Sequence, residues 1–192
     1  MRRIGMALLC LPALAVAALA EPGQPDASAE VLALPQGEAG VSTNDGILHT
    51  ACHRKAPLPL FRRLIAQGFD ANSVDGIGQS PLHACARTCA ECIAVLAAGG
   101  AKLDQGDQLG RTPLEIALDV GKLDTAEALL RAGATPNIEN RDGNSPYMLA
   151  LYGTPRPGMA ELMARYGGRL TLRQRVRHFL RQAEPSNLIP QR

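Results

Sequence analysis

The chain has 192 residues, 46% of them hydrophobic but only 3% aromatic, and it contains no Trp. That excludes disorder throughout and requires a core built from Ala, Leu, Ile and Val. Twenty Lys+Arg against eighteen Asp+Glu leave a formal net charge of +2, so the chain lacks the global field of a dedicated nucleic-acid binder.

The chain starts with Arg2 and Arg3, an apolar run from Met6 to Leu19 interrupted by Pro12, and Ala18-Leu19-Ala20 ahead of Glu21. This is the three-part pattern of a secretory signal over residues 1–20, with cleavage expected after Ala20 and a periplasmic destination. A membrane anchor needs about 18 to 20 uninterrupted apolar residues, so no stable anchor is expected. Cys10 follows Leu9, where a lipid-attachment signal wants a small residue. Without the first twenty residues the chain has zero net charge and keeps Cys52, Cys85, Cys89 and Cys92. In an oxidising compartment these four are expected to pair as disulfides, and three connectivities are open.

Residues 21–41 are rich in Pro, Gly, Ala and small acids and read as a flexible leader. After them one pattern returns. It runs Ile47-Leu48-His49-Thr50-Ala51, then Ser80-Pro81-Leu82-His83-Ala84-Cys85, then Thr112-Pro113-Leu114-Glu115-Ile116-Ala117, then Ser145-Pro146-Tyr147-Met148-Leu149-Ala150. Leu48, Leu82, Leu114 and Tyr147 are separated by 34, 32 and 33 residues, and repeats of this period stack into a solenoid. Ser80, Thr112 and Ser145 stand where a helix needs a cap, and the prolines after them take the first helical position, where a missing N–H costs nothing. A second helix follows in each unit and ends in an apolar pair and a glycine, as in Leu64-Ile65 with Gly68 and Leu129-Leu130 with Gly133. The turns at Asp75-Gly76, Asp107 to Gly110 and Asp142-Gly143 read as hairpin tips leading into the next unit.

At these residues the sequence resembles the ankyrin-repeat family, and in particular small exported bacterial members. The match is best at Asp75 to Ala86 and Asp107 to Ala117 and covers about 42–168. The resemblance implies an all-α solenoid of helix-turn-helix units joined by hairpin loops, with four repeats at about 42–74, 75–106, 107–139 and 140–168. Repeat one departs from the pattern at Gly46-Ile47 and around Pro57-Leu58-Pro59, and repeat four at Tyr147-Met148 and from Gly153 to Gly158. Irregular units suit the ends of a stack. Over 169–183, Thr171 can cap a helix in which Leu172, Val176, Phe179 and Leu180 form one apolar stripe, read as a capping helix. The stretch 184–192 reads as a flexible tail.

The resemblance also orders the cysteines. Cys52 and Cys85 fall one position apart on the first helices of adjacent repeats, and Cys89 and Cys92 lie close together around the start of a second helix. Cys52 with Cys85 and Cys89 with Cys92 are therefore the favoured pairs. Cys89-Ala90-Glu91-Cys92 also has the spacing of dithiol oxidoreductases, but that fold wants a strand before the motif and here the segment lies in a helical repeat. Zinc held by the thiols with His49 or His53 is a further alternative. In ankyrin repeats the histidine at the places of His49 and His83 is structural. No catalytic triad, phosphate loop or paired-carboxylate spacing stands out, so the chain reads as no enzyme and needs no cofactor.

Ankyrin repeats bind other proteins with hairpin tips and the exposed side of the first helices. On that mapping the partner-binding tip residues are Val74, Gly76, Ile77 and Gln79, then Gln105, Gln108, Leu109 and Arg111, then Asn140, Arg141 and Asn144. Ile116, Asp119 and Tyr152 join them from the helices, and Ile77, Leu109, Ile116 and Tyr152 are the expected anchors. One form of this family resembles immunity partners that cover the active site of a secreted toxic hydrolase. Another resembles exported proteins linked to protection against peroxide. A monomer is expected before the partner protein binds, and nucleic acid is not an expected partner. Charge is split along the chain: residues 21–164 carry eleven basic and seventeen acidic residues, whereas residues 165–192 carry seven Arg and one Glu.

Overall fold

In the computed structural model, residues 46–154 and 156–182 are described. The expected signal, leader and tail lie outside them. Among the described residues every regular element is a helix and there are no strands. The first helices of four successive pairs are α1 (Ile47–His53), α3 (Pro81–Thr88), α5 (Pro113–Val120) and α7 (Pro146–Tyr152). Their partners are α2 (Leu58–Ala66), α4 (Ala90–Ala98), α6 (Leu123–Ala132) and α8 (Met159–Arg165), and α9 (Leu172–Gln182) follows alone.

The helix starts obey the local chemistry of their caps. Thr112 Oγ1 accepts the Glu115 N–H at 3.4 Å and Ser145 Oγ accepts the Met148 N–H at 3.2 Å. Proline follows each as the first helical residue. At Ser80 the backbone N–H donates to His83 Nδ1 at 3.0 Å, so the ring's second nitrogen carries the proton and donates to the Arg111 carbonyl at 2.9 Å. Repeat one is irregular as expected. Lys55 takes a left-handed φ of 50° between its helices, and Pro57 caps α2 with Pro59 in its first turn.

Each pair buries one face against the next, first helix on first helix and second on second. Leu48, Leu82 and Leu114 are buried, with Ala51, Cys85 and Ala117 beside them completely inaccessible. The small side chains let the first helices approach closely. Phe61, Leu64, Ile93, Leu96, Leu129 and Met163 supply the second-helix half of the same continuous core. Polar ladders run alongside it. Asn72 donates to the Gly100 carbonyl at 3.0 Å and accepts the Lys102 N–H at 2.7 Å. One unit further, Asp104 accepts the Thr135 N–H at 2.8 Å, and Asn137 repeats the first arrangement toward Gly167 and Arg169.

The last helix corrects the sequence reading. The expected cap forms, since Thr171 and Gln174 exchange hydrogen bonds at 3.1 and 3.3 Å, but the apolar stripe faces outward. Leu172 is 78% exposed and Phe179 70%, with Val176 and Leu180 also open. The helix is seated by its polar side instead. Gln174 is buried and donates to Ser145 Oγ at 3.3 Å, Arg177 donates to the Asp142 and Gly143 carbonyls, both at 2.9 Å, and the His178 ring stacks on Tyr152 at 3.6 Å between centroids. Counting from the capping residue explains the inversion. Three residues past its cap α9 buries Gln174, as α5 buries Glu115, so the inward phase of the helix is polar and the apolar stripe falls on another face.

The hairpin glycines carry a firm conformational demand. Gly110 has φ 76°, and a Cβ there would lie 3.0 Å from the Arg141 backbone nitrogen. Gly110→Ala is expected to cost about 1–2 kcal/mol, read as a lower denaturant midpoint. Gly76→Ala, whose Cβ would meet nothing within 4 Å, should shift stability by less than about 0.5 kcal/mol. Gln174→Ala should speed amide exchange in α9 while exchange in α3 to α6 stays unchanged, because only the end helix loses its seat.

Candidate functional site

Three hairpin fingers stand in a row along one edge of the stack, and one residue closes each. Asp75 Oδ1 accepts the N–H groups of Ile77 and Gln79 at 3.0 and 2.8 Å. Asp107 Oδ1 does the same for Leu109 and Arg111 at 2.9 and 3.0 Å, and Asn140 Oδ1 for Asp142 and Asn144 at 3.0 and 3.1 Å. The fingers are also tied to one another through backbone. Gln108 N–H donates to the Ile77 carbonyl at 3.2 Å, and Arg141 N–H to the Leu109 carbonyl at 3.0 Å. The Gln108 side chain adds a bond to the Gly76 carbonyl at 3.0 Å. The tips are therefore held in fixed register.

That register brings Val74, Ile77 and Leu109 to the surface as an apolar row, 53%, 55% and 57% exposed. Gly76, Gln108 and Arg141 are exposed beside them. Behind the row lies a polar layer. Arg111 donates through Nε and Nη2 to Asp107 Oδ2 at 2.9 and 2.7 Å. Burial works to raise the Asp107 carboxyl, but the Arg111 guanidinium and the backbone N–H groups of Arg111 and Leu109 carry it below its ordinary value. Gln79 bridges Asp107 at 3.5 Å and Arg87 at 2.8 Å.

Several residues predicted to touch a partner do other work. Gln79 is 4% exposed and Ile116 2%, so neither presents its side chain at the surface. Gln79 braces two fingers, and Ile116 belongs to the core, because the tightly packed first helices close over the position two beyond Leu114. Asn140 and Asn144 are half-buried parts of the third turn, and Gln105 is half-buried away from the tips. Arg111 is half-buried and engaged with Asp107. Asp119 and Tyr152 are exposed, Tyr152 being covered on one ring face by His178. The cysteines fall into the favoured pairs, with Sγ atoms at disulfide distance for Cys52 and Cys85 and for Cys89 and Cys92. Among the described residues no group of three or more His, Cys, Asp or Glu is placed to hold a metal.

One residue escaped the sequence reading. His49 and His83 reach the next finger through Nε2, to the Gln79 carbonyl at 2.7 Å and the Arg111 carbonyl at 2.9 Å. Glu115 occupies the same place in the third unit and accepts from Asn140 Nδ2 at 2.7 Å. Its second carboxyl oxygen is buried without a partner. Burial, with Asp119 adding to it against the Asn140 hydrogen bond, pushes the Glu115 carboxyl up to about 7. The signal available in the sequence was an acid where the pattern has histidine.

This architecture is that of a helical ankyrin-repeat solenoid. The family model described as ankyrin repeats (3 copies) matches residues 48–140, and a match of this kind indicates a protein–protein interaction module. The fourth helix pair lies beyond the matched stretch. The chain is 34% identical over 83 residues to ankyrin repeat domain-containing protein 37 of Xenopus tropicalis, covering 43% of this chain and 51% of that protein. It is 40% identical over 78 residues to human ankyrin repeat and SOCS box protein 16, covering 40% and 17% of the two chains. With human protein phosphatase 1 regulatory subunit 27 it shares 41% identity over 56 residues, or 29% and 36%. The chain thus spans about half or less of the length of these relatives.

Glu115 gives the array a definite pH dependence. Its folded value of about 7 lies above the ordinary 4.5, so between these values the unfolded chain ionises first and stability falls as pH rises. Glu115→Gln should therefore gain on the parent from pH 4.5 to 7, reaching about 2–4 kcal/mol at pH 8. Burial holds His83 below its ordinary 6.5 and acts in the opposite sense in acid. Urea unfolding of parent and variant at the same pH isolates the glutamate.

Proposed function

We propose that the chain is exported by its N-terminal signal and binds a secreted or periplasmic protein through the finger row, in the manner of an immunity protein that covers the active site of a toxic hydrolase. The apolar row of Val74, Ile77 and Leu109 carries this reading. Three large apolar side chains at more than half exposure, on tips locked together by backbone hydrogen bonds, form a preorganised binding surface that loses little entropy on association. Exposed Gln108 and Arg141 supply a polar rim of the kind that surrounds binding hot spots. The export half of the reading rests on Arg2, Arg3, the run from Met6 to Leu19 and the small residues before Glu21. The name of one relative, a regulatory subunit of protein phosphatase 1, supports an enzyme as the class of partner.

The test begins with the full chain expressed in a bacterial host and recovered from the periplasm, where mass spectrometry should find an N-terminus at Glu21. Cross-linking of the natural producer should then capture one secreted hydrolase in stoichiometric amount. Ile77→Ser with Leu109→Ser should weaken that complex at least about 30-fold, the size of a hot-spot loss, with an unchanged melting temperature. Retained affinity in the double variant overturns the finger row as the binding face, and a chain that keeps residues 1–20 in the cytoplasm overturns export.

A further inference from the structure

The two cysteine pairs stand in different surroundings. Cys52 and Cys85 are both completely inaccessible between α1 and α3, with Cys52 Sγ 3.2 Å from the Pro81 carbonyl oxygen. Cys89 and Cys92 sit at the start of α4. Cys89 is the extended residue that ends α3 and caps α4, and its sulfur accepts the Cys92 N–H at 3.2 Å. Of these four cysteines only Cys89 reaches solvent, while Cys92 is fully buried in the first turn.

Exchange of a disulfide with a thiol needs an accessible sulfur, a leaving thiolate that its surroundings stabilise, and space for the attacking molecule. Cys89 supplies the first. Cys92 meets the second, since it lies in the first turn of α4, where the helix dipole favours a thiolate. The third is a groove of about 570 Å³ between α4 and α6, which begins at Ala90 and Glu91, the two residues between the cysteines, and continues along Ala94 and Ala97. Its rim is acidic. Glu127 is paired with Arg131 at 2.7 Å, which leaves Glu91 and Asp124 as net negative charge, with Glu91 Oε2 3.8 Å from Cys89 Sγ.

We propose that Cys89 and Cys92 form a thiol–disulfide exchange site whose substrate is a dithiol carried by a protein segment with basic residues. A substrate thiolate attacks Cys89 Sγ, the sulfur–sulfur bond to Cys92 breaks, and Cys92 leaves as a thiolate that takes a proton from water. The second substrate thiol loses its proton to water and attacks the substrate sulfur of the mixed disulfide, releasing Cys89 as a thiolate that is protonated in turn. The substrate dithiol is oxidised by two electrons to a disulfide, and the chain ends with two thiols. Cys52 and Cys85 take no part because no thiolate reaches them. The acidic rim selects substrates that bring positive charge, and this site is separate from the finger row.

The full oxidised chain is treated with cysteamine, a cationic thiol, or with 2-mercaptoethanesulfonate, an anionic one, at equal thiolate concentration, then alkylated and mapped by mass spectrometry. Cys89 and Cys92 should become alkylated while Cys52 and Cys85 stay protected and the helical circular dichroism is unchanged. Cysteamine should react at least about threefold faster, the size of a unit-charge effect near the surface, and Glu91→Gln should narrow that ratio. Cys92→Ser leaves Cys89 as a free thiol, and with cystamine, the disulfide of cysteamine, it should form a stable mixed disulfide at Cys89 and release one cysteamine. Simultaneous opening of both pairs, or opening of Cys89 and Cys92 only with loss of the helical signal, overturns the exchange site, and equal rates for the two thiols overturn the basic substrate.

Discussion

No helix pair in this molecule can bury its own apolar face, and the closure of each pair against the next is the constraint on which everything else rests. Leu48, Leu82 and Leu114 are covered only because the neighbouring first helix lies close, and it lies close because Ala51, Cys85 and Ala117 are small. The spacing between units in turn sets the spacing between fingers. Their backbones meet at hydrogen-bonding distance from Ile77 to Gln108 and from Leu109 to Arg141, so a row of separate turns becomes one rigid surface. The finger surface is thus a product of core packing several residues away from it.

The polar residue that follows each core leucine shows how one structural place tolerates different chemistry. A histidine there donates to the next finger's carbonyl. Glutamate has no proton to donate when ionised, and the third unit compensates with Asn140, whose amide reaches Glu115 at 2.7 Å. The compensation is incomplete because the second oxygen is left buried alone, and an unpartnered carboxylate out of water favours its neutral form. The same Asn140 closes the third finger, so the protonation of Glu115 and the geometry of the outer finger are linked through one side chain.

The stack ends differently from the way it runs. After α8 only the short stretch Tyr166 to Leu170 separates the last pair from the cap of α9, too short for another finger. The final helix is held by a glutamine, an arginine and a stacked histidine rather than by apolar burial. Directional contacts of this kind seat a helix at one angle, whereas a greasy face tolerates sliding. The thiol pairs divide the same way. One lies inside the stack between α1 and α3, and the other opens at a helix start beside a groove.

The sequence alone established the solenoid. A small residue after a recurring leucine or tyrosine at a period of 32 to 34, preceded by a cap and proline in three of the four units, is a local chemical requirement, and local requirements survive without knowledge of what packs where. The finger turns were legible for the same reason, as was the exposure of Val74, Ile77 and Leu109, whereas the cysteine spacing left three connectivities open and only the family resemblance favoured the pairs found at disulfide distance. What the sequence could not decide was the direction of a face. The stripe of Leu172, Val176, Phe179 and Leu180 has the period of a packing surface, yet its phase relative to the stack points it outward. Gln79 and Ile116 sit in repeat positions that read as exposed, yet neighbouring fingers and helices enclose them. Burial of Glu115 likewise exists only once Asn140 from the next unit is in place. Periodicity depends on residues within one helix, whereas exposure depends on what a neighbour brings, and only the assembled tertiary structure contains that neighbour.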